Sequence, residues 1–97
     1  MTGNQATRVL VVDDAQVMRR AVEKMLQSDY DVVLANDGEA GWEQLARDNQ
    51  IEMLITDIQM PLLDGYGLIC RVRASDNAHI RDLPIITITG AEDDETR

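Results

Sequence analysis

Four short apolar runs decide most of what this chain can fold into: Val9-Leu10-Val11-Val12, Val32-Val33-Leu34-Ala35, Met53-Leu54-Ile55 and Ile85-Ile86-Thr87-Ile88. Each is near-continuous rather than alternating. A strand with one wet face alternates apolar and polar residues, whereas a strand of a parallel sheet, covered on both faces, does not. The runs therefore predict a buried parallel sheet, and the segments between them supply the cover. From Ala15 to Gln27, apolar Val17, Met18, Ala21, Val22, Met25 and Leu26 recur at helical spacing, with Arg19, Arg20, Glu23 and Lys24 opposite. Glu39 to Arg47 reads as a second helix carrying Ala40, Trp42, Leu45 and Ala46. A third, about Gly65 to Ala74, puts Leu68, Ile69 and Val72 on one side, with Asp64 placed to cap its start. Strand and helix in strict alternation define an α/β domain of right-handed βαβ units. The terminal run Ala91-Glu92-Asp93-Asp94-Glu95-Thr96-Arg97 reads as the first turn of a fourth helix, with acids where a helix N-terminus favours them.

Ninety-seven residues suffice for one domain, 1–97, with no linker or repeat inside it. With aromatics at 3% and no Phe, the core must be aliphatic, and Met18, Met25, Met53 and Met60 read as gap-fillers in it. One Cys and one His exclude an internal disulfide and a Cys-rich zinc site. A net charge of −9 argues against direct binding of nucleic acid. The opening Met1-Thr2-Gly3-Asn4-Gln5-Ala6-Thr7 has no apolar centre, so neither a signal peptide nor a membrane span is expected there, and a cytoplasmic location is the default expectation.

Chemistry collects where the strands end. In open parallel sheets, ligands bind outside the carboxyl ends of the strands, where the strand order reverses. Here the first strand ends in Asp13-Asp14, the third in Thr56-Asp57 and the fourth in Thr89-Gly90. Clustered carboxylates repel one another unless a cation joins them, and hard oxygen ligands of this kind suit Mg²⁺. Taken singly, each residue has a structural explanation: Asp14 as a helix cap, Asp57 as a polar stop to a strand, Thr89 as a common strand residue. Their coincidence at three carboxyl ends has none. His79, in the polar stretch Ser75 to Asp82, reads as a solvated loop histidine. Cys70 reads as packing or a spectator, and Trp42 as a partly exposed packing residue.

Four blocks resemble response-regulator receiver domains. Val11-Val12-Asp13-Asp14-Ala15-Gln16-Val17-Met18-Arg19-Arg20 is similar to their acidic pair and first helix. Thr56-Asp57-Ile58-Gln59-Met60-Pro61-Leu62-Leu63-Asp64-Gly65 resembles their phosphoacceptor loop. Leu83-Pro84-Ile85-Ile86-Thr87-Ile88-Thr89-Gly90 resembles their fourth strand, and Asn36-Asp37-Gly38-Glu39-Ala40 their turn into the second helix. The resemblance implies a flavodoxin-like doubly wound sheet in the order 2-1-3-4. It implies a switch in which Asp57 takes a phosphoryl group from a sensor histidine kinase or histidine phosphotransfer protein. Asp14, Asp57 and the backbone carbonyl of Gln59 would ligate Mg²⁺, Asp13 would hold one of its waters, and Thr89 with Gly90 would contact the phosphoryl group. Gln59 and Ala91 would tune how long the phosphate lasts. Such a domain is a phosphate acceptor that promotes its own phosphorylation and dephosphorylation, not a turnover enzyme.

The family also has a fifth strand, carrying a lysine that contacts the phosphoryl group, and a fifth helix. Neither is among these residues, so the chain reads as a receiver domain incomplete at its C-terminus, and the 97 residues are expected to be either the ordered part of a longer chain or a species that self-associates through the uncovered strand edge. The alternative is a receiver-fold interaction module that works without phosphorylation. An aspartyl-phosphate phosphohydrolase would want two aspartates separated by one residue after the first strand, but Asp13 and Asp14 are adjacent. A flavodoxin-like cofactor binder would want a phosphate-cradling loop where Asp13-Asp14 would repel the ligand.

Overall fold

A computed structural model describes residues 6–59 and 63–88. The elements run β1 (Thr7–Val12), α1 (Gln16–Leu26), β2 (Tyr30–Ala35), α2 (Gly38–Arg47), β3 (Ile51–Asp57), α3 (Gly65–Arg73), α4 (Ala78–Arg81) and β4 (Ile85–Ile88). The strands are all parallel, in the order β2-β1-β3-β4, so the order reverses between β1 and β3. Topology and switch point are as the sequence predicts.

The continuous apolar runs have the expected cause. Along β1, Val9 and Val11 point to one face and Leu10 and Val12 to the other, and all four are fully buried. Leu10, Val12 and Leu54 pack beneath α2 and α3 with Leu45, Leu68 and Val72. Val9, Val11 and Ile55 form a smaller cluster, against which Val22 and Leu26 of α1 are partly buried. Side chains alternate across a strand, so a central strand sandwiched by helices needs apolar residues at every position.

Several expectations fail, each for a physical reason. The apolar stripe of α1 is not a core face: no residue of α1 is buried, and Val17 and Met25 are 83% and 71% exposed. That stripe spans about half the helix circumference. Only its Val22–Leu26 edge rests on the sheet, while Met18 and Met25 lie outside the core rather than filling gaps in it. Met53 does pack as expected, and Met60 lies outside the described residues. The polar stretch after α3 is not all loop, because Asn77 accepts from the N–H groups of His79 and Ile80 and starts α4. Ile80 anchors that turn in the core, and the His79 ring is hydrogen-bonded through Nε2 to the Ile51 carbonyl oxygen at 2.8 Å rather than simply solvated. Cys70 is exposed, which leaves the spectator of its two expected roles. Trp42 is half-buried, with the Arg71 guanidinium above its ring.

The run Ala91–Arg97, expected to start a helix, lies outside the described residues. Among those residues the outer edge of β4 has no strand partner, and Ile86 there is half exposed. None of the described helices is long and apolar enough to cross a membrane.

Candidate functional site

The carboxyl ends of β1 and β3 bring Asp13, Asp14 and Asp57 together. One carboxylate oxygen from each lies within 4.8 Å of the others. Asp57 is the last residue of β3, and Asp13 and Asp14 directly follow β1, its neighbour in the sheet. Adjacent parallel strands that stop at matching heights present their next side chains side by side, and here those side chains are acids.

The three carboxylates sit in different surroundings. Asp14 is exposed, Asp57 half-buried and Asp13 buried. Burial pushes the Asp13 carboxyl above the usual carboxylate range, and the charges of Asp57 and Asp14 push it the same way. Opposing them are the Ala15 N–H, donated to Asp13 Oδ1 at 2.9 Å, and more weakly the charge of Arg19. Asp57 Oδ1 accepts from the Ile58 N–H at 2.8 Å, which leaves Oδ2 as the oxygen without an internal donor among the described residues. The hydroxyl of buried Thr56 donates to the Asp57 carbonyl at 2.9 Å and so steadies the strand end from behind.

Asp14 does not cap α1. The N-cap position is Ala15, whose side chain makes no capping bond, so the structural explanation of Asp14 fails. Caps do form where acids precede the other long helices: Asp37 accepts from Ala40 N–H and Asp64 from Gly67 N–H. The acceptor loop is held close to both. A Cβ on Gly65 would fall 2.2 Å from the Asp57 carbonyl oxygen, and one on Gly38 would fall 1.9 Å from that of Leu63. Only glycine allows α2 and α3 to approach the acceptor loop this closely.

No basic side chain bonds these carboxylates among the described residues. Arg19, the nearby cation, donates instead to the main-chain carbonyl of Asp13. Three converging oxygens, one of them buried and short of compensation, fit a hard divalent cation such as Mg²⁺. Gln59 is exposed two residues beyond Asp57. Thr89, Gly90 and Ala91 lie outside the described residues. Arg19 was hidden in the sequence, where it reads as one more charge on the wet face of the first helix. Its position four residues past Ala15 is the usable signal, since helical side chains lean back toward the N-terminus.

A family model described as the response regulator receiver domain matches residues 9–97. The chain belongs to that family. This receiver is 37% identical over 84 residues to a chemotaxis protein CheY homolog of Campylobacter jejuni, an alignment covering 84% of this chain and 63% of the relative. It thus spans less than two thirds of that relative's length. A crystal structure of a response regulator receiver protein from Pseudomonas putida superposes with a TM-score of 0.80 at 36% identity, covering 92% of this receiver and 71% of that chain. The receiver domain of a sensor histidine kinase from Pseudomonas aeruginosa, solved with magnesium coordinated in its active-site cleft, gives 0.81 at 31% identity, covering 95% and 74%.

Proposed function

We propose that this receiver is a phosphorylation switch of a cytoplasmic two-component system. In this reading Asp57 accepts a phosphoryl group from a phosphohistidine on a sensor kinase or phosphotransfer protein. The observation that carries it is the convergence of Asp13, Asp14 and Asp57 within 4.8 Å at the switch point of the sheet. Asp57 Oδ2 attacks phosphorus while Oδ1 stays on the Ile58 N–H. The new P–O bond makes an acyl phosphate, the P–N bond to the donor imidazole breaks, and its electron pair stays on the ring nitrogen. Asp14, Asp57 and the Gln59 carbonyl would hold Mg²⁺, with Asp13 on one of its waters. When bound, the cation offsets the charge on the phosphoryl oxygens. Thr89 and Gly90 would contact those oxygens. Because the phosphate ends on the protein itself, the chain is an acceptor and not a turnover enzyme. Self-association along the half-exposed β4 edge belongs to the same proposal, and sedimentation of the 97 residues tests it, a monomer at all concentrations counting against it.

The experiment is incubation with acetyl phosphate or a phosphohistidine donor, followed by intact-mass measurement. Phosphorylation is expected with Mg²⁺, absent with chelator, and absent in Asp57→Asn, whose amide cannot form an acyl phosphate. Labelling that persists in Asp57→Asn, or that ignores chelation, defeats the proposal.

A further inference from the structure

Arg19 stands on α1 four residues after the N-cap Ala15, and its long side chain reaches back over the first turn. Its Nη1 donates to the main-chain carbonyl of Asp13 at 2.8 Å. The same residue is tied at two other points: its N–H donates to the Ala35 carbonyl at 3.1 Å, and its Oδ1 accepts from the Ala15 N–H at 2.9 Å. Asp13 is therefore held to β2, to the start of α1 and to the second turn of α1. Of these ties, only the one from Arg19 is a side chain reaching in from a helix.

The arginine acts on the acidic cluster in two opposed ways. As a positive charge it disfavours a second cation nearby. As a tether it fixes the loop bearing Asp13 and Asp14 against β3 and Asp57. The geometry decides between them. The guanidinium bonds a carbonyl and makes no ion pair among the described residues, and its charge is the weakest of the influences on Asp13. We infer that Arg19 is a positioning residue for the divalent cation, tethering the β1–α1 loop so that Asp13 and Asp14 stay within reach of Asp57. This rests on the cation reading of the acidic cluster.

Half-buried Arg19 lines an open groove of about 380 Å³ between α1 and α2, with Arg20, Asn36 and Gln44 among its walls. Shortening it therefore leaves no hole in the core, and cation binding can be separated from folding. The test is Mg²⁺ titration by calorimetry on the whole chain and on Arg19→Gln, Arg19→Lys and Arg20→Gln, with melting of each in chelator. Residues one step behind metal ligands typically govern affinity by about 10–100-fold. Arg19→Gln is expected to weaken Mg²⁺ roughly tenfold, although losing the charge alone would tighten it. Arg19→Lys, still able to donate to the carbonyl, recovers most of the affinity. Arg20→Gln removes an equal charge that makes no such bond, and it leaves the affinity unchanged or slightly tighter. A merely structural Arg19 would lower the melting point in chelator and leave Mg²⁺ affinity alone. That result, or a tightening in Arg19→Gln, overturns the inference while the cation site stands. If Arg19→Gln does not fold, the Arg19→Lys and Arg20→Gln pair carries the test, and loss of affinity in both equally overturns it. Absence of Mg²⁺ binding to the unaltered chain removes the cation reading, and this inference with it.

Discussion

Replacing Asp13 by Asn tests the electrostatics of the site without touching its shape. The amide is isosteric and its oxygen still accepts from the Ala15 N–H. What it removes is a buried charge beside two others. Unit charges 4.8 Å apart repel by about 0.9 kcal/mol in bulk water and about 3.5 kcal/mol at an effective dielectric of about 20. Because Asp14 is exposed and Asp57 half-buried, values near the lower limit apply, about 1 kcal/mol for each of the two contacts. Asp13→Asn should therefore stabilise the cation-free protein by about 1–2 kcal/mol at neutral pH, raising the melting point by roughly 4–8 °C per kcal/mol. The pH dependence has a definite sign. A carboxyl whose folded value is raised favours the fold below its ordinary pKa, and that contribution disappears as pH rises through the folded value. The advantage of Asn over Asp should thus be small in acid and complete at neutrality. Saturating Mg²⁺ reverses the ranking, since a ligand at a hundred times its Kd adds about 2.7 kcal/mol to the protein that binds it. Urea unfolding in chelator and in Mg²⁺, across pH, provides the assay. An Asn variant less stable than the parent in chelator, or equal stabilisation of both by Mg²⁺, would refute the reasoning.

Further outcomes follow from packing and charge. Leu54 is fully buried in the central strand beneath α2 and α3, so Leu54→Ala should cost about 2–5 kcal/mol in denaturant unfolding. Gly65→Ala places a methyl against the Asp57 carbonyl and Ile58 Cα, so it should both lower the melting point and weaken Mg²⁺ binding, as calorimetry would show. Asp48 is held below the usual carboxylate range, first by the Gln50 N–H and then by Arg8. Its stabilisation is present above the ordinary pKa and lost as pH falls through the lowered one, so Asp48→Asn should flatten the acid limb of the stability–pH curve.

The sheet was legible because a doubly covered strand leaves a pattern that survives without tertiary information. Val9 to Val12 could be read as buried on both sides from their identity alone, and the order came from the resemblance to receiver domains, with which right-handed crossovers agree. The acidic site was legible for a related reason: strand ends can be located in the sequence, and parallel strands put their ends together. Burial on α1 was not legible. An apolar arc says that a face can be buried, but how much of it is buried depends on what lies opposite, and Val17 and Met25 stay largely exposed among the described residues. The turn of α4 was missed because four residues are too short for periodicity, and only the Asn77 cap signals it. Arg19 was missed because a bond to a main-chain carbonyl leaves no mark on the identity of its partner.

The claim that Asp57 is the nucleophile is tested most directly by trapping the acyl phosphate. After reaction with a phosphohistidine donor in Mg²⁺, borohydride reduces an aspartyl phosphate to homoserine, and peptide mass mapping locates the altered residue. Homoserine is expected at position 57 alone, dependent on Mg²⁺, with Asp13 and Asp14 unmodified. Reduction at Asp13 or Asp14, or none anywhere while phosphate is still taken up, would contradict it.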